Sequence, residues 1–262
     1  MKISVIGAGA MGGSMVKGLL ESDIIRTSDI IVSDPSKEAL SAFKDTGATL
    51  TNNNQEAAAK GDIIAVVVKP WLVKTVLEDI KASIDYSQQI LVVIAAGVPS
   101  ADISQWLAKG NGMLQPSLFL AIPNIAIAMK ASMTFLVPVN ATPRQTELVI
   151  NMFDSVGETI ITTEKQLPAG TALASSGIAY AMRYLRAASE GGVELGFKAS
   201  EAQRIVMQTM KGAVKLLQTS GMHPEQAIDL VTTPGGVTIR GLNAMEQAGF
   251  TNSVIRGLKA SV

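Results

Sequence analysis

The sequence predicts an α/β fold, with a doubly wound parallel sheet over residues 1–162 and an all-helical domain over 163–262. Three observations predict it. Short β-rich runs alternate with helical patterns through about residue 160. Two of those runs, Ile63–Val68 and Ile90–Ala95, are continuously apolar, as strands covered by helices on both faces are. From Glu164 onward strand patterns stop and only helical stretches follow.

Lys2–Ile6 reads as the first strand and Met11–Glu21 as the helix after it. Gly7, Gly9, Gly12 and Gly13 interrupt the apolar stretch behind Lys2, so the segment reads as structure and not as a secretory signal. Ile30–Ser33 is the next strand, and Ser36 caps a helix over Ser36–Asp45. Leu118–Ile122 and Met133–Val139 supply further strands, with a helix over Pro143–Ser155 beyond them. The second half reads as helices over Leu167–Leu195, Ser200–Ser220, Pro224–Thr232, Val237–Gln247 and Thr251–Ala260. That module is rich in Ala, Gly and Met but poor in aromatic mass, so a second copy of itself is its expected cover.

Composition narrows the chemistry. An apolar fraction of 47% supplies core and excludes disorder. The 22 Lys+Arg balance 22 Asp+Glu, which leaves no basic footprint for nucleic acid. Apolar runs such as Ile63–Val68 fall far short of the ~20 residues a membrane span needs. With no cysteine there is no thiolate metal site and no Cys nucleophile; the absence fits a reducing compartment, and a cytoplasmic location is expected. The single histidine, His223, argues against a His-built metal site or a Ser-His-Asp triad, and before Pro224 it reads as a helix-start residue. No metal is expected. The chemistry falls to backbone, hydroxyls or a bound cofactor.

The segment Gly7-Ala8-Gly9-Ala10-Met11-Gly12 follows a strand and opens a helix, the context that gives G-x-G-x-x-G its meaning. Gly7 allows the tight turn, Gly9 lets backbone approach a pyrophosphate, and Gly12 lets helix and strand pack closely. Free N–H groups at the helix start face the anion. A dinucleotide-binding, Rossmann-type domain follows from that context. Asp34 ends the second strand 22 residues after Gly12, where a carboxylate commonly bonds the adenosine ribose 2′-OH and repels a 2′-phosphate. It tilts the expected cofactor toward NADH over NADPH. Ser33, Ser36 and Lys37 share that turn and could hold a phosphate if Asp34 points away, and Asp34-Pro35 can also be a plain turn.

Other irregular spots fall at the carboxyl ends of strands, where open α/β sheets bind ligands: Lys69-Pro70, Ala96-Gly97 and Pro123-Asn124. In the helical half, Thr232-Thr233-Pro234-Gly235-Gly236-Val237-Thr238 stands out. Two glycines ahead of a helix near Val237 make either a pocket for a small carboxylate or a well-capped helix start, with Thr238 in the first turn. Ala172–Tyr180 is nearly all small residues, suited to close helix packing or close ligand approach.

At these residues the chain resembles the pyrroline-5-carboxylate reductase family over essentially its whole length. The resemblance rests on Gly7–Gly12, Val68-Lys69-Pro70 and Ala95-Ala96-Gly97-Val98. Above all it rests on His223-Pro224 and Val231–Ile239, with Met245-Glu246 behind. It implies a Rossmann domain, a helical domain that interleaves with a partner's to form a homodimer, further assembly of dimers, and an active site shared across that dimer. Gly7, Ala8, Gly9, Ala10, Met11 and Gly12 would bind pyrophosphate, with Asn54 at the adenosine ribose. Val68, Lys69, Pro70, Ala95 and Ala96 would line the nicotinamide side. Ser176, Gly177, Thr233, Pro234, Gly235 and Gly236 would hold the imino acid, and Thr238 would be the proton-donating hydroxyl.

Three positions depart from the family pattern. Ser175-Ser176-Gly177-Ile178-Ala179-Tyr180 stands where Gly-Ser-Gly-Pro-Ala-Tyr is usual, and Ile122-Pro123-Asn124-Ile125-Ala126 where Met-Pro-Asn-Thr-Pro is usual. Asp34 stands where Ser or Asn is favoured. The expected reaction is reduction of 1-pyrroline-5-carboxylate to L-proline. The alternatives are a paralogue acting on another imine or 2-oxo acid, and a nucleotide-binding regulator without turnover.

Overall fold

The computed structural model describes residues 1–110 and 115–262, which fold as two compact units, Met1–Ser175 and Ser176–Val262. The first unit carries β1 (Ile3–Ile6), α1 (Ala10–Leu20), β2 (Ile30–Ser33), α2 (Lys37–Ser41), β3 (Thr49–Thr51) and α3 (Asn54–Lys60). It continues with β4 (Ile63–Val66), α4 (Pro70–Ile80), β5 (Ile90–Val93), α5 (Ser100–Leu107), β6 (Ser117–Ile122), β7 (Ser132–Val139), α6 (Pro143–Asp154) and β8 (Gly157–Ile161). The short α7 (Leu167–Gly170) and a π-helical stretch, Thr171–Ser176, close it.

Among the described residues the strands form one eight-stranded sheet in the order β3-β2-β1-β4-β5-β6-β7-β8. The six strands from β3 to β6 are parallel; β7 runs antiparallel to β6, and β8 follows β7. The chain therefore winds outward from β1 in one direction, returns, and winds outward from β4 in the other. That reversal leaves a crevice between the carboxyl ends of β1 and β4.

The continuous apolar strands feed two cores. Ile63 and Ala65 of β4 face one cluster with Val16 and Leu19 of α1 and Phe153 of α6. Ile64 and Val66 face the other, with Val73 and Leu77 of α4 and Ile103 of α5. Ile90 and Leu91 of β5 divide the same way. Alternation in facing with no alternation in polarity is what two helix layers demand of a central strand.

The expected fold class is what the structure shows, a doubly wound and mainly parallel sheet followed by helices, with the strand read at Met133–Val139 pairing antiparallel with β6. The compact units divide at 175/176, past the expected 162/163. Tertiary interactions hold the intervening segment to the sheet: the Glu164 carboxylate accepts hydrogen bonds from both the Ser100 N–H and the Ser100 hydroxyl. Gly170 sits so close to the Phe135 ring that a Cβ would not fit, and Ser175 Oγ donates to the Pro123 carbonyl at 2.9 Å.

The second unit is helical, with α8 (Gly177–Glu194), α9 (Ala199–Ser220), α10 (Pro224–Leu230), α11 (Val237–Gln247) and α12 (Phe250–Lys259). The α8–α9 hairpin closes through small residues, Gly192 lying against Ala202. Tyr184 meets Phe250 edge to face at 6.3 Å, and Tyr180 hydrogen-bonds Ser261. Of this unit's described residues only Ala202 is buried. Met182, Leu195, Val214, Leu230 and Ile255 are exposed. The unit has no private core.

The crossing of α1 over the β1 turn makes one demand on stability. A Cβ on Gly12 would collide with the Gly7 carbonyl oxygen, a backbone atom that cannot step aside. Gly12→Ala should therefore cost about 2 kcal/mol or more and lower the thermal midpoint by roughly 5 °C or more, measured by calorimetry.

Candidate functional site

At the end of β1 the chain turns through Gly7, whose φ of +102° suits glycine, and a Cβ there would strike the Val67 carbonyl. Gly7 and Gly12 are thus explained by packing alone. Gly9 is not: its φ is −66°, and nothing lies within 4 Å of where its Cβ would be. The open space above Gly9 is what a ligand approaching the backbone requires.

Helix α1 begins at Ala10 with no side-chain cap and no acidic residue in its first turn. Its first intrahelical bond runs from the Gly13 N–H to the Gly9 carbonyl at 2.7 Å. The N–H groups of Ala10, Met11 and Gly12 therefore have no partner within the helix, and together with the helix dipole they favour an anion.

The neighbouring β2 end is wired to this loop. The Gly7 N–H donates to the Ser33 carbonyl at 2.7 Å. The Ala8 N–H donates to Asp34 Oδ2 at 2.7 Å, and the Ser36 N–H to Asp34 Oδ1 at 2.8 Å. Asp34 is thus engaged by main chain on both oxygens, an arrangement its sequence position does not reveal. Ser33, fully buried, donates its hydroxyl to Asn54 Oδ1 at 2.8 Å. That orients the Asn54 amide so that Nδ2, without a partner among the described residues, remains a free donor. Ser36 caps α2 by accepting the Ala39 N–H, as its sequence position suggests.

Across the crevice, Val67 extends the ladder beyond β4 by bonding the Ile6 carbonyl at 2.8 Å. Val68 is half-buried, Lys69 and Pro70 are exposed, and these last two start α4 as N-cap and first helical residue. Ala95 is half-buried and Ala96 exposed just past β5, ahead of Gly97 with φ +75°. Ile94 still bonds the Val66 carbonyl at 2.9 Å. The parallel ladder therefore gathers Gly7–Gly12, Asp34, Val68–Pro70, Ala95 and Ala96 at one edge of the sheet, with Asn54 tied to that edge through Ser33. No group of His, Cys, Asp and Glu among the described residues could hold a metal.

In the helical unit, Thr233-Pro234-Gly235-Gly236 folds as a tight turn. The Gly236 N–H donates to the Thr233 carbonyl at 2.9 Å and Gly235 has φ +69°, the pattern of a type II turn with Pro at its second position. A Cβ on Gly236 would press on Thr233 Oγ1, so this glycine serves the turn itself. Helix α11 follows with Gly236 as N-cap and no side-chain cap. The first-turn N–H groups of Val237, Thr238 and Ile239 are left without helical partners. Thr238, half-buried, has no hydrogen-bond partner for its hydroxyl among the described residues. Ser176 and Gly177 form the junction of the π-helical stretch with α8. Ile178 is half-buried in the first turn of α8, and Ile125 is exposed in the 3-10 turn after Asn124.

In the sequence Asn124 stands out only as part of a strand-end break. It is buried, its Oδ1 accepts the Ala126 N–H at 3.0 Å, and its Nδ2 donates to the Ala174 carbonyl at 3.4 Å. It pins the π-helical stretch, a geometry frequent at functional sites.

Residues 164–262 match the family described as pyrroline-5-carboxylate reductase dimerisation, and residues 2–97 match NADP oxidoreductase coenzyme F420-dependent. The chain is 34% identical to pyrroline-5-carboxylate reductase 1 of Dictyostelium discoideum over 99% of its own length, spanning 48% of that protein. It is 32% identical to pyrroline-5-carboxylate reductase of Methanosarcina acetivorans, covering 99% of this chain and 96% of that one. The solved Plasmodium falciparum pyrroline carboxylate reductase with NADP bound superposes with a TM-score of 0.89 at 26% identity, covering 100% and 95% of the two chains.

The three glycines of the first loop are expected to separate in a mutational test. Gly9→Val meets no protein atom near its Cβ and should change stability by no more than about 1 kcal/mol, the range of an N-cap substitution. It should nevertheless abolish dinucleotide binding in a fluorescence titration, whereas undiminished binding would dissociate this loop from the cofactor.

Proposed function

The chain belongs to the pyrroline-5-carboxylate reductase family, and on that premise we propose that it reduces 1-pyrroline-5-carboxylate to L-proline with NADPH or NADH. The observation that carries the reading is the space over Gly9 beside three unpartnered helix-start amides. Packing gives no reason for that glycine, and a pyrophosphate does.

The residues of the first unit fit the cofactor. Ala10, Met11 and Gly12 offer N–H donors to the pyrophosphate, the loop Gly7–Gly9 shapes the approach, and the Asn54 amide offers a donor at the ribose. Val68, Lys69, Pro70, Ala95 and Ala96 make the nicotinamide side. When bound, the dihydronicotinamide supplies a hydride to the imine carbon. The chain need only orient the reactants, which supplies up to about 7–11 kcal/mol of the barrier in favourable cases. For that reason a chain without cysteine and with one histidine is equal to the task.

In the helical unit, the amides of Val237–Ile239 and the turn Thr233–Gly236 favour the substrate carboxylate, with Ser176 and Gly177 as further contacts. The Thr238 hydroxyl, unused by the fold, hydrogen-bonds the ring nitrogen and passes it a proton, regained from water, as hydride addition to the carbon turns the imine into an amine. Because the helical unit buries only Ala202, we further infer a homodimer built on residues 164–262, open to assembly into larger species. The balanced charge and the lack of cysteine suit a cytoplasmic enzyme without nucleic-acid partners.

Purified protein given pyrroline-5-carboxylate and NADPH or NADH should oxidise the cofactor, followed at the nicotinamide absorbance band. Turnover with other imines or 2-oxo acids alone would favour a different substrate, and binding without turnover a regulator. Thr238→Ala should reduce kcat/KM by about tenfold to a few hundredfold, worth roughly 1–3 kcal/mol, with the thermal midpoint unchanged because the hydroxyl has no intramolecular partner to lose. Wild-type kcat/KM in that variant would remove the assigned role. Light scattering should report a mass of at least twice the 27.4 kDa of one chain; an active monomer would refute the assembly.

A further inference from the structure

Two successive N–H groups leave the first loop toward the end of β2. Gly7 bonds the Ser33 carbonyl, continuing the register that pairs Ile6 with Ser33. The next donor, Ala8, bonds no carbonyl at all; its partner is the Asp34 side chain at 2.7 Å. The carboxylate thus extends the β1–β2 ladder by one step past its last backbone acceptor. Its other oxygen closes the Asp34-Pro35-Ser36 turn through the Ser36 N–H at 2.8 Å. Ala8 is buried, and its N–H has no other acceptor among the described residues, so without Asp34 a buried donor is stranded in the middle of the loop.

We propose that Asp34 is a positioning residue that holds the glycine loop in its binding shape, and that it does not choose between NADH and NADPH. The inference rests on the dinucleotide reading of this loop given above. A carboxylate reading the ribose would use its oxygens on the ligand, whereas here each already takes a main-chain donor at short range. Two N–H dipoles directed at the charge also weaken its field toward a 2′-phosphate. The polar group turned free at the same edge, the Asn54 amide held by Ser33, is neutral and can donate to a hydroxyl or to a phosphate oxygen.

The test measures Kd for NADH and for NADPH separately in wild type, Asp34→Asn and Asp34→Ser. Asn keeps the shape but retains one acceptor oxygen; Ser can still close onto the Ser36 N–H but cannot span to Ala8. Both variants should bind each cofactor about tenfold more weakly or worse, with the NADH to NADPH ratio within about twofold of wild type. Hydrogen exchange at the Ala8 N–H of the unliganded protein should quicken in Asp34→Ser, a local signature that general loss of folding would not give. A ratio moving toward NADPH by more than about fivefold, as loss of charge repulsion requires, would overturn the proposal. Unchanged affinities or unchanged Ala8 protection would also overturn it. A wild-type chain that binds neither cofactor would instead remove the dinucleotide reading itself.

Discussion

The structure depends on one close approach. Strand β1, the extension of β4 and helix α1 meet at Gly7 and Gly12 with no side chain between them. The Val67 carbonyl occupies the place of one missing Cβ and the Gly7 carbonyl that of the other. Because both obstacles are backbone, the turn has no room for adjustment, and the direction of α1 is set by it. The helix start is consequently delivered to the crevice between β1 and β4, where the winding of the sheet reverses. A preorganised set of N–H groups follows from steric exclusion, not from any residue chosen for its polarity.

What surrounds that turn is a second layer that orients groups rather than supplying them. Asp34 and Ser33 end β2 and reach in two directions, one to the Ala8 N–H and the other to the Asn54 amide. Glu164 and Asn124 do the same beyond the ends of β5 and β6. Glu164 fixes the Ser100 end of α5, and Asn124 donates to the Ala174 carbonyl in the π-helical stretch. Each bond joins residues distant in sequence, and each uses a side chain that a sequence reader would assign to a turn or a solvated surface.

That difference explains how far the sequence can be read. β4 and β5 are legible because Ile63–Val66 and Ile90–Val93 must satisfy two cores at once, and only unbroken apolar runs do so. The type II turn at Thr233–Gly236 is legible because Pro followed by Gly carries its own backbone geometry. The position of Asp34 at the end of β2 is legible but its engagement is not, since the partner, Ala8, lies 26 residues away. The helical stretch expected over Leu167–Leu195 forms, running from Leu167 to Glu194 with a π-helical segment at Thr171–Ser176, and the bond from Ser175 to the Pro123 carbonyl is a tertiary contact that local periodicity does not report. The compact units divide near the end of that segment. β3 and α3 escape notice because three- and seven-residue elements carry too few apolar positions to show a period.

The helical unit carries the argument from fold to assembly. Its helices are long and amphipathic, yet α8 to α12 bury nothing but Ala202 among their described residues, while Leu195, Leu230 and Val231 face outward. Exposed apolar side chains on this scale mark an interaction surface, and the match to the dimerisation family, residues 164–262, spans all of these helices. The packing that an ordinary domain completes internally is thus left for association to complete. Thr233–Gly236 and Thr238 lie within that module. The turn Thr233–Gly236 is thus carried by helices whose apolar faces an assembly would cover, and where such cover binds the folded form the stability of this half of the chain rises with protomer concentration.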